Sequence, residues 1–208
     1  MNTKPHTPER TTAVGRLPTA SRMVQFLAVV LAVLVLPGVA TVVVAETPAL
    51  SEYEVKALFL VNFAKHVDWP PQAFSCEGAP IVIGLAGEDN FGKDFKQLTS
   101  EKTFNGRPVV VKHMASAGEY RNCHILFVSA SENERLREIL DAVKDAPVLT
   151  VGETEEFLSQ DGMINLAKKA NKIRLEVNLI AAQQAQLKLD SKLLSVADTV
   201  IGKTKGKK

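Results

Sequence analysis

Charge is missing altogether between Met23 and Ala45, and acid is almost missing before it: the leader carries Lys4, Arg10, Arg16 and Arg22 but only Glu9. A basic start, an apolar run from Met23 to Leu36 and a helix-breaking Pro37-Gly38 make the layout of a secretory signal. Val43-Val44-Ala45 places small residues at the −3 and −1 positions of a cleavage site, which would make Glu46 the new N-terminus. The alternative is an uncleaved membrane anchor, because the uncharged span is long enough to cross a bilayer. Under either alternative the remaining chain works outside the cytoplasm, and the expected compartment is the periplasm.

An excess of either charge is missing too once the leader is set aside. The chain has 25 Lys and Arg against 23 Asp and Glu, and residues 1–45 hold four bases and one acid, leaving 21 against 22. Near-neutrality excludes a surface built for a phosphate backbone, and no nucleic-acid partner is expected. The basic cluster left is the tail 202–208, which reads as a solvated, frayed end. The expected organisation is a signal peptide over 1–45, one domain over 46–201 and that tail.

Cysteine is scarce. Cys76 and Cys123 are the two present, and no Cys-x-x-Cys occurs. The spacing does not suit a metal site. In an oxidising compartment the pair reads first as a structural disulfide, with a redox switch as the sharper alternative.

Catalytic constellations are also lacking. Gly87-Glu-Asp-Asn-Phe-Gly92-Lys93-Asp94 approaches a phosphate-binding loop, but Asp94 replaces the hydroxyl that would hold magnesium. Glu88 and Asp89 add negative charge where phosphates would sit, and a turn leading into the next helix explains the same residues. The third strand ends Val128-Ser129-Ala130, without the aspartate a phosphoacceptor domain needs. His66 and Asp68 have no nucleophile elbow to serve. The four histidines read as surface or turn residues. The chain is therefore expected to be no enzyme and to need no metal or cofactor.

What is present is a regular alternation. Ser51 to His66 is an amphipathic helix opened by a capping box, Ser51-x-x-Glu54, and stopped by Trp69-Pro70-Pro71. Strand-like apolar runs follow at 80–86, 107–112, 124–129 and 147–151, with helical stretches at 92–99, 115–120 and 131–144 between them. Ser131-x-x-Glu134 reads as the start of the last of these. Strands apolar on both faces and alternating with helices predict an α/β fold, a mainly parallel sheet flanked by helices in a Rossmann- or flavodoxin-like three-layer arrangement. Residues 162–167 and 172–177, joined by a polar turn, then predict an antiparallel hairpin at the C-terminal edge of that sheet. Asn178 is positioned to cap a helix through Gln186, and 191–197 starts a final short one.

Several segments together resemble a known family. Glu52-Tyr53-x-Val-Lys56-Ala57-x-Phe59-Leu60-x-Asn62-Phe63-Ala64-Lys65-x-Val67-x-Trp69-Pro70 resembles the opening helix of the YfiR-like exported proteins. Gly84-x-x-Gly87-x-x-x-Phe91-Gly92, Cys123-His-Ile-Leu-Phe127, Pro147-Val-Leu-Thr150, Gly162-Met-Ile-Asn165, Ile173-Arg174-x-Glu176-Val-Asn178 and Leu187-Lys-Leu-x-Ser191-Lys-Leu-Leu194 follow in the family's order. The likeness covers about residues 52–201. It implies a periplasmic α/β domain that forms a homodimer and holds inactive the periplasmic sensory part of an inner-membrane diguanylate cyclase, lowering cyclic-di-GMP. It also implies an OmpA-like outer-membrane lipoprotein that sequesters the repressor, and a disulfide between Cys76 and Cys123. A second bridge found in some members has no counterpart here. Other members of so wide a family serve other sensors, including histidine kinases.

Two surfaces are candidates for partner binding. One is the first helix, where apolar positions including Ala57, Phe59, Leu60 and Phe63 go most of the way round, with Trp69 at its end. The other is the edge hairpin at Ile173, Arg174 and Glu176, whose unpaired backbone would accept a partner strand. A rival function is small-molecule binding in the crevice at the carboxyl ends of the parallel strands, where Gly84, Gly87, Ser129 and Gly152 are expected.

Overall fold

The computed structural model describes residues 50–202. The expected leader, its cleavage point and, beyond Gly202, the basic tail lie outside the described residues. Among those described, no helix is long and apolar enough to cross a membrane.

The chain opens with α1, Glu52–His66, and the expected capping box forms: Ser51 Oγ accepts from the Glu54 N–H while the Glu54 carboxylate accepts from the Ser51 N–H. Thereafter come β1 (Val67–Asp68), β2 (Ile81–Ala86), α2 (Gly92–Ser100), β3 (Thr103–Phe104), β4 (Arg107–Met114) and the single turn α3 (Ala117–Tyr120). β5 (Ile125–Val128), α4 (Leu136–Val143), β6 (Leu149–Gly152), β7 (Ile164–Lys169) and β8 (Lys172–Asn178) follow. The chain closes with α5 (Leu179–Gln184), β9 (Lys188–Leu189), α6 (Ser191–Ser195) and β10 (Thr199–Ile201).

An eight-stranded sheet runs in the order β10-β8-β7-β6-β5-β2-β4-β3. The five central strands β7, β6, β5, β2 and β4 are parallel, as their apolar runs require. Alternation along each strand divides the core into two layers. Ile83, Leu85, Ile125, Phe127, Leu149 and Val151 pack under α1, α2 and α5, and Val82, Leu126 and Val128 pack under α4 with Leu136, Ile139, Leu140 and Val143. This is the three-layer α/β fold that the sequence pattern predicts.

The hairpin forms with β7 and β8 antiparallel, turning at Ala170-Asn171 with both φ positive (47° and 59°). That matches the right-handed twist of the two strands. It lies at the C-terminal side of the sheet as expected, but only the first part of β8 is a free edge. β10 pairs in parallel with Glu176, Val177 and Asn178 of β8. Just before it, Asp198 accepts from Leu175 N–H at 3.1 Å and from Arg174 Nη1 at 2.8 Å, and donates its own N–H to the Leu175 carbonyl at 2.8 Å. One carboxylate thus ties the last strand to the hairpin. Asp198→Ala leaves the Leu175 N–H without its acceptor, a loss of about 1–3 kcal/mol. Amide exchange at 199–201 is then expected to rise well before the rest of the sheet; unchanged protection there would refute the tie.

Two smaller departures have local causes. The 131–144 segment begins as a 3-10 turn, Ala130–Arg135, and the expected Ser131 cap is not made, because Ser131 Oγ instead accepts from the Glu88 N–H at 3.0 Å while Ser129 Oγ accepts from Ser131. His124, expected at a surface or turn, is buried: its Nδ1 accepts from the Val82 N–H and its Nε2 donates to the Ala73 carbonyl. Burial lowers its pKa, which suits a neutral ring held between two backbone groups.

Candidate functional site

In an open parallel sheet, ligands bind outside the carboxyl ends of the strands. Here the rim at the ends of β5 and β6 is occupied by the protein itself. Glu153 follows β6 directly and is only 4% exposed; its Oε1 accepts from the N–H of Ala130, the second residue after β5, at 2.7 Å. From α1, Lys56 reaches in, 2% exposed, and pairs with Glu153 Oε2 at 2.6 Å and with Glu52 Oε1 at 2.5 Å. Its ammonium also lies 4.6 Å from the centre of the Tyr53 ring. Tyr53 donates to Glu153 at 3.3 Å and accepts from Asn90 at 3.2 Å, and Lys168 holds the other oxygen of Glu52 at 2.7 Å.

The titration of this cluster follows from its packing. Burial by itself would lower the Lys56 pKa, but the hydrogen bonds it donates to Glu153 and Glu52, with their negative charge, outweigh it and hold the ammonium above its ordinary value. Glu52 is held below the usual carboxylate range by its hydrogen bonds to Lys168 and then Lys56. Desolvation, followed by the negative charge of Glu153, raises the Tyr53 phenol. A buried charge is tolerable only when paired in this way. Among the described residues, no group of His, Cys, Asp and Glu is placed to hold a metal ion.

The four crevice candidates do not assemble into an open ligand site. Gly84 lies within β2, where an added Cβ would stand 2.9 Å from Met114 and 3.1 Å from Cys123. At Gly152 the same atom would be 2.1 Å from the Phe157 ring, which also fills the space over Gly162. Ser129 is buried and spends its N–H on the Ala86 carbonyl. Gly87, with φ +88°, borders an open hollow of about 660 Å³ with His113, Glu119 and Arg135, yet Ser131 and Glu132 cover its backbone. The glycines are there because side chains of this chain press on them: Met114 and Cys123 at Gly84, Ser131 and Glu132 at Gly87, and Phe157 at Gly152.

The partner-binding candidates separate as well. Phe63 is 0% exposed and belongs to the core, which removes it from any surface; Phe59 is half-buried and packs against it. Trp69 is half-buried, donating Nε1–H to the His124 carbonyl at 3.1 Å. Ile173 is half-buried, Arg174 is exposed but paired with Asp198, and Glu176 is engaged by Asn165 and Lys169. Because β10 covers this side, β8 does not offer the free edge expected of it from Glu176 to Asn178. The exposed apolar residues of α1 and its lead-in are instead Leu58 and Leu50.

The expected bridge between Cys76 and Cys123 is not made in this structure: both are free thiols, Cys76 exposed and Cys123 buried. Cys123 points inward against Gly84, donates to the Tyr120 carbonyl at 3.1 Å, and has its thiol pushed up to about 12 by burial. The Cys76 loop is pinned elsewhere. Arg107 stacks 3.7 Å from the Phe74 ring centre and donates to the carbonyls of Cys76 and Ala79.

Sequence reasoning missed Glu153, Asp198 and the role of Lys56. A signal existed for Lys56, since it shares a helical face with Tyr53, Leu60, Phe63 and Ala64, where a lysine needs a buried partner.

The chain matches the YfiR/HmsC-like family over residues 53–198 and belongs to that family. No curated protein matches it significantly. Among solved structures, a conserved domain protein from Vibrio cholerae O1 biovar El Tor is 11% identical with a TM-score of 0.44, covering 58% of this chain and 54% of its own. The ABC domain in complex with L-Trp from Streptococcus pneumoniae is 12% identical with a TM-score of 0.49, covering 70% of this chain and 60% of its own. The chain therefore spans little more than half the length of these structures.

Proposed function

We propose that this member of the YfiR/HmsC-like family is an exported, non-catalytic regulator that acts by contact. It holds the periplasmic sensory part of an inner-membrane diguanylate cyclase inactive and so lowers cyclic-di-GMP, until an OmpA-like outer-membrane lipoprotein draws it away. The observation that favours this reading over small-molecule binding is the occupied rim at the carboxyl ends of β5 and β6, where Lys56, Glu153 and Phe157 fill the place a ligand would take, leaving open only the hollow beside β2 and β4 among the described residues. Family membership and the basic, signal-like leader support the compartment and the regulatory role. Deleting the gene is expected to raise cyclic-di-GMP and surface attachment, and restoring the exported protein to lower both. Levels that do not respond to deletion would sink the cyclase assignment.

Export also bears on the thiols. Ser75 and Ala79, flanking Cys76, line a cavity of about 250 Å³ together with Cys123, so closure of the Cys76 loop onto that cavity would bring the sulfurs together. In the oxidising compartment we propose that they pair. The bond would close a loop of about 47 residues, adding roughly 4 kcal/mol by the loop-entropy relation. Protein recovered from the periplasm should lose thermal stability on adding reductant, and Cys123→Ser should accumulate poorly. Equal midpoints with and without reductant would leave the two as independent thiols.

A further inference from the structure

Among the described residues, the outer flank of α1 is uncovered where it faces α2. Leu50 and Leu58, 57% and 40% exposed, form one wall and half-buried Leu98 the other, over a floor of Ala57, Phe91 and Phe95. The groove has a volume of about 520 Å³. Its rim is unbalanced: Glu54, Asp94 and Glu101 face a single base, Lys102. Glu54 is fixed by the Ser51 capping box, and its pKa is lowered by the Ser51 N–H, so it stays ionised at neutral pH.

Both walls are anchored to the sheet. The capping box and the Lys56 ion pairs anchor the first turn of α1 to the sheet. Phe91 and Phe95 pack on each other at 4.8 Å and Phe91 on Phe127 at 4.9 Å, tying α2 to β5. A prebuilt apolar trough spends little conformational entropy on binding. α2 has nine residues, so a helix laid along it would contact about two and a half turns, roughly 13 Å. That length takes apolar anchors at i, i+4 and i+7.

We infer that this groove docks an amphipathic helical segment of a partner protein, with leucine-like anchors facing the trough and lysine or arginine along its flanks. The inference rests on the contact-regulator reading and names its contact surface. The acidic rim selects a basic helix by charge complementarity and repels an anionic lipid surface. Phe59, Trp69 and the β8 flank are not part of it.

The test uses the purified protein and two synthetic probes, a Leu/Lys amphipathic helix and its Leu/Glu counterpart of equal length. Backbone resonances of α1 and α2 should shift with the Leu/Lys probe and stay unmoved with the Leu/Glu probe. Leu58→Glu and Glu101→Lys should each weaken Leu/Lys binding at least tenfold while leaving the thermal midpoint in place. Equal binding of both probes, no binding, or shifts lying away from α1 and α2 would overturn the inference. So would a trough already filled by residues 46–49, or self-association that Leu58→Glu abolishes. In cells, Leu58→Glu should raise cyclic-di-GMP as far as deletion does. If deletion acts and Leu58→Glu does not, the groove assignment fails and the regulatory reading stands; if deletion does nothing, the regulatory reading fails while the probe measurements still report on the groove.

Discussion

Lys56→Met is expected to destabilise the domain by about 3–5 kcal/mol, since it leaves Glu153 as a buried carboxylate without a counter-charge. Glu52 would suffer less, because Lys168 still reaches its second oxygen. For a domain of this size the loss corresponds to a drop of roughly 6–20 °C in thermal midpoint. The double change Lys56→Met with Glu153→Gln should recover much of it, because the uncompensated charge is gone. Calorimetry of the two single variants and the double gives the coupling directly. Single variants that melt with the wild type would show that the pair does not anchor α1.

The same cluster sets two edges of the stability–pH profile. The Lys56 pKa is raised in the fold, so its contribution is fully present below the unfolded lysine value and is lost as pH rises through the higher folded value. The Glu52 pKa is lowered, so its contribution is present above the unfolded glutamate value and is lost as pH falls through the lower folded value. Lys56→Met should weaken the alkaline part of this dependence, leaving the share of the raised Tyr53 phenol, and weaken the acid part, with Lys168 preserving some of the latter. An alkaline limb that is unchanged in Lys56→Met would assign it to other groups.

Phe157→Ala is the second large effect, expected at about 3–5 kcal/mol for truncating a fully buried aromatic ring. Its partners make the measurement more specific. Gly152→Ala by itself would drive a methyl to 2.1 Å from that ring, an overpacking that costs about 1–3 kcal/mol or more. With the ring removed, the added methyl has room, so Gly152→Ala should be close to neutral in the Phe157→Ala background. Such non-additivity is the signature of direct contact. Simple additivity of the two changes would mean that the ring does not fill the rim at β6. Opening this place would also create an apolar hollow at the end of β6, and small aromatic compounds should then raise the melting temperature of Phe157→Ala more than that of the wild type.

The capping box at Ser51, four of the five parallel strands and the Ala170-Asn171 turn are local matters. Each is decided by period, end signals and turn chemistry within about ten residues, so all were legible in the chain. β10 was not legible, because three residues after Asp198 carry no periodic signal; they become a strand only by hydrogen bonding to Glu176 through Asn178. Phe63 and Leu58 illustrate a finer limit. Both sit on a helix that is apolar most of the way round, and the pattern alone does not say which side the sheet will cover.

The order of hydrophobic periods and breaks therefore determined by itself the α/β class, the parallel centre of the sheet, the antiparallel hairpin and the family resemblance. Local backbone energetics and the side-chain period act over short stretches and need no knowledge of the rest of the chain. Only the tertiary structure decided that Lys56 meets Glu153 across 97 positions, that Phe157 closes the end of β6, that the last residues of β8 are covered, and that Leu50, Leu58 and Leu98 border one trough. These are pairings between distant segments. Their strength comes from excluding water at a shared place, and that place exists only after the sheet has brought its strands into register.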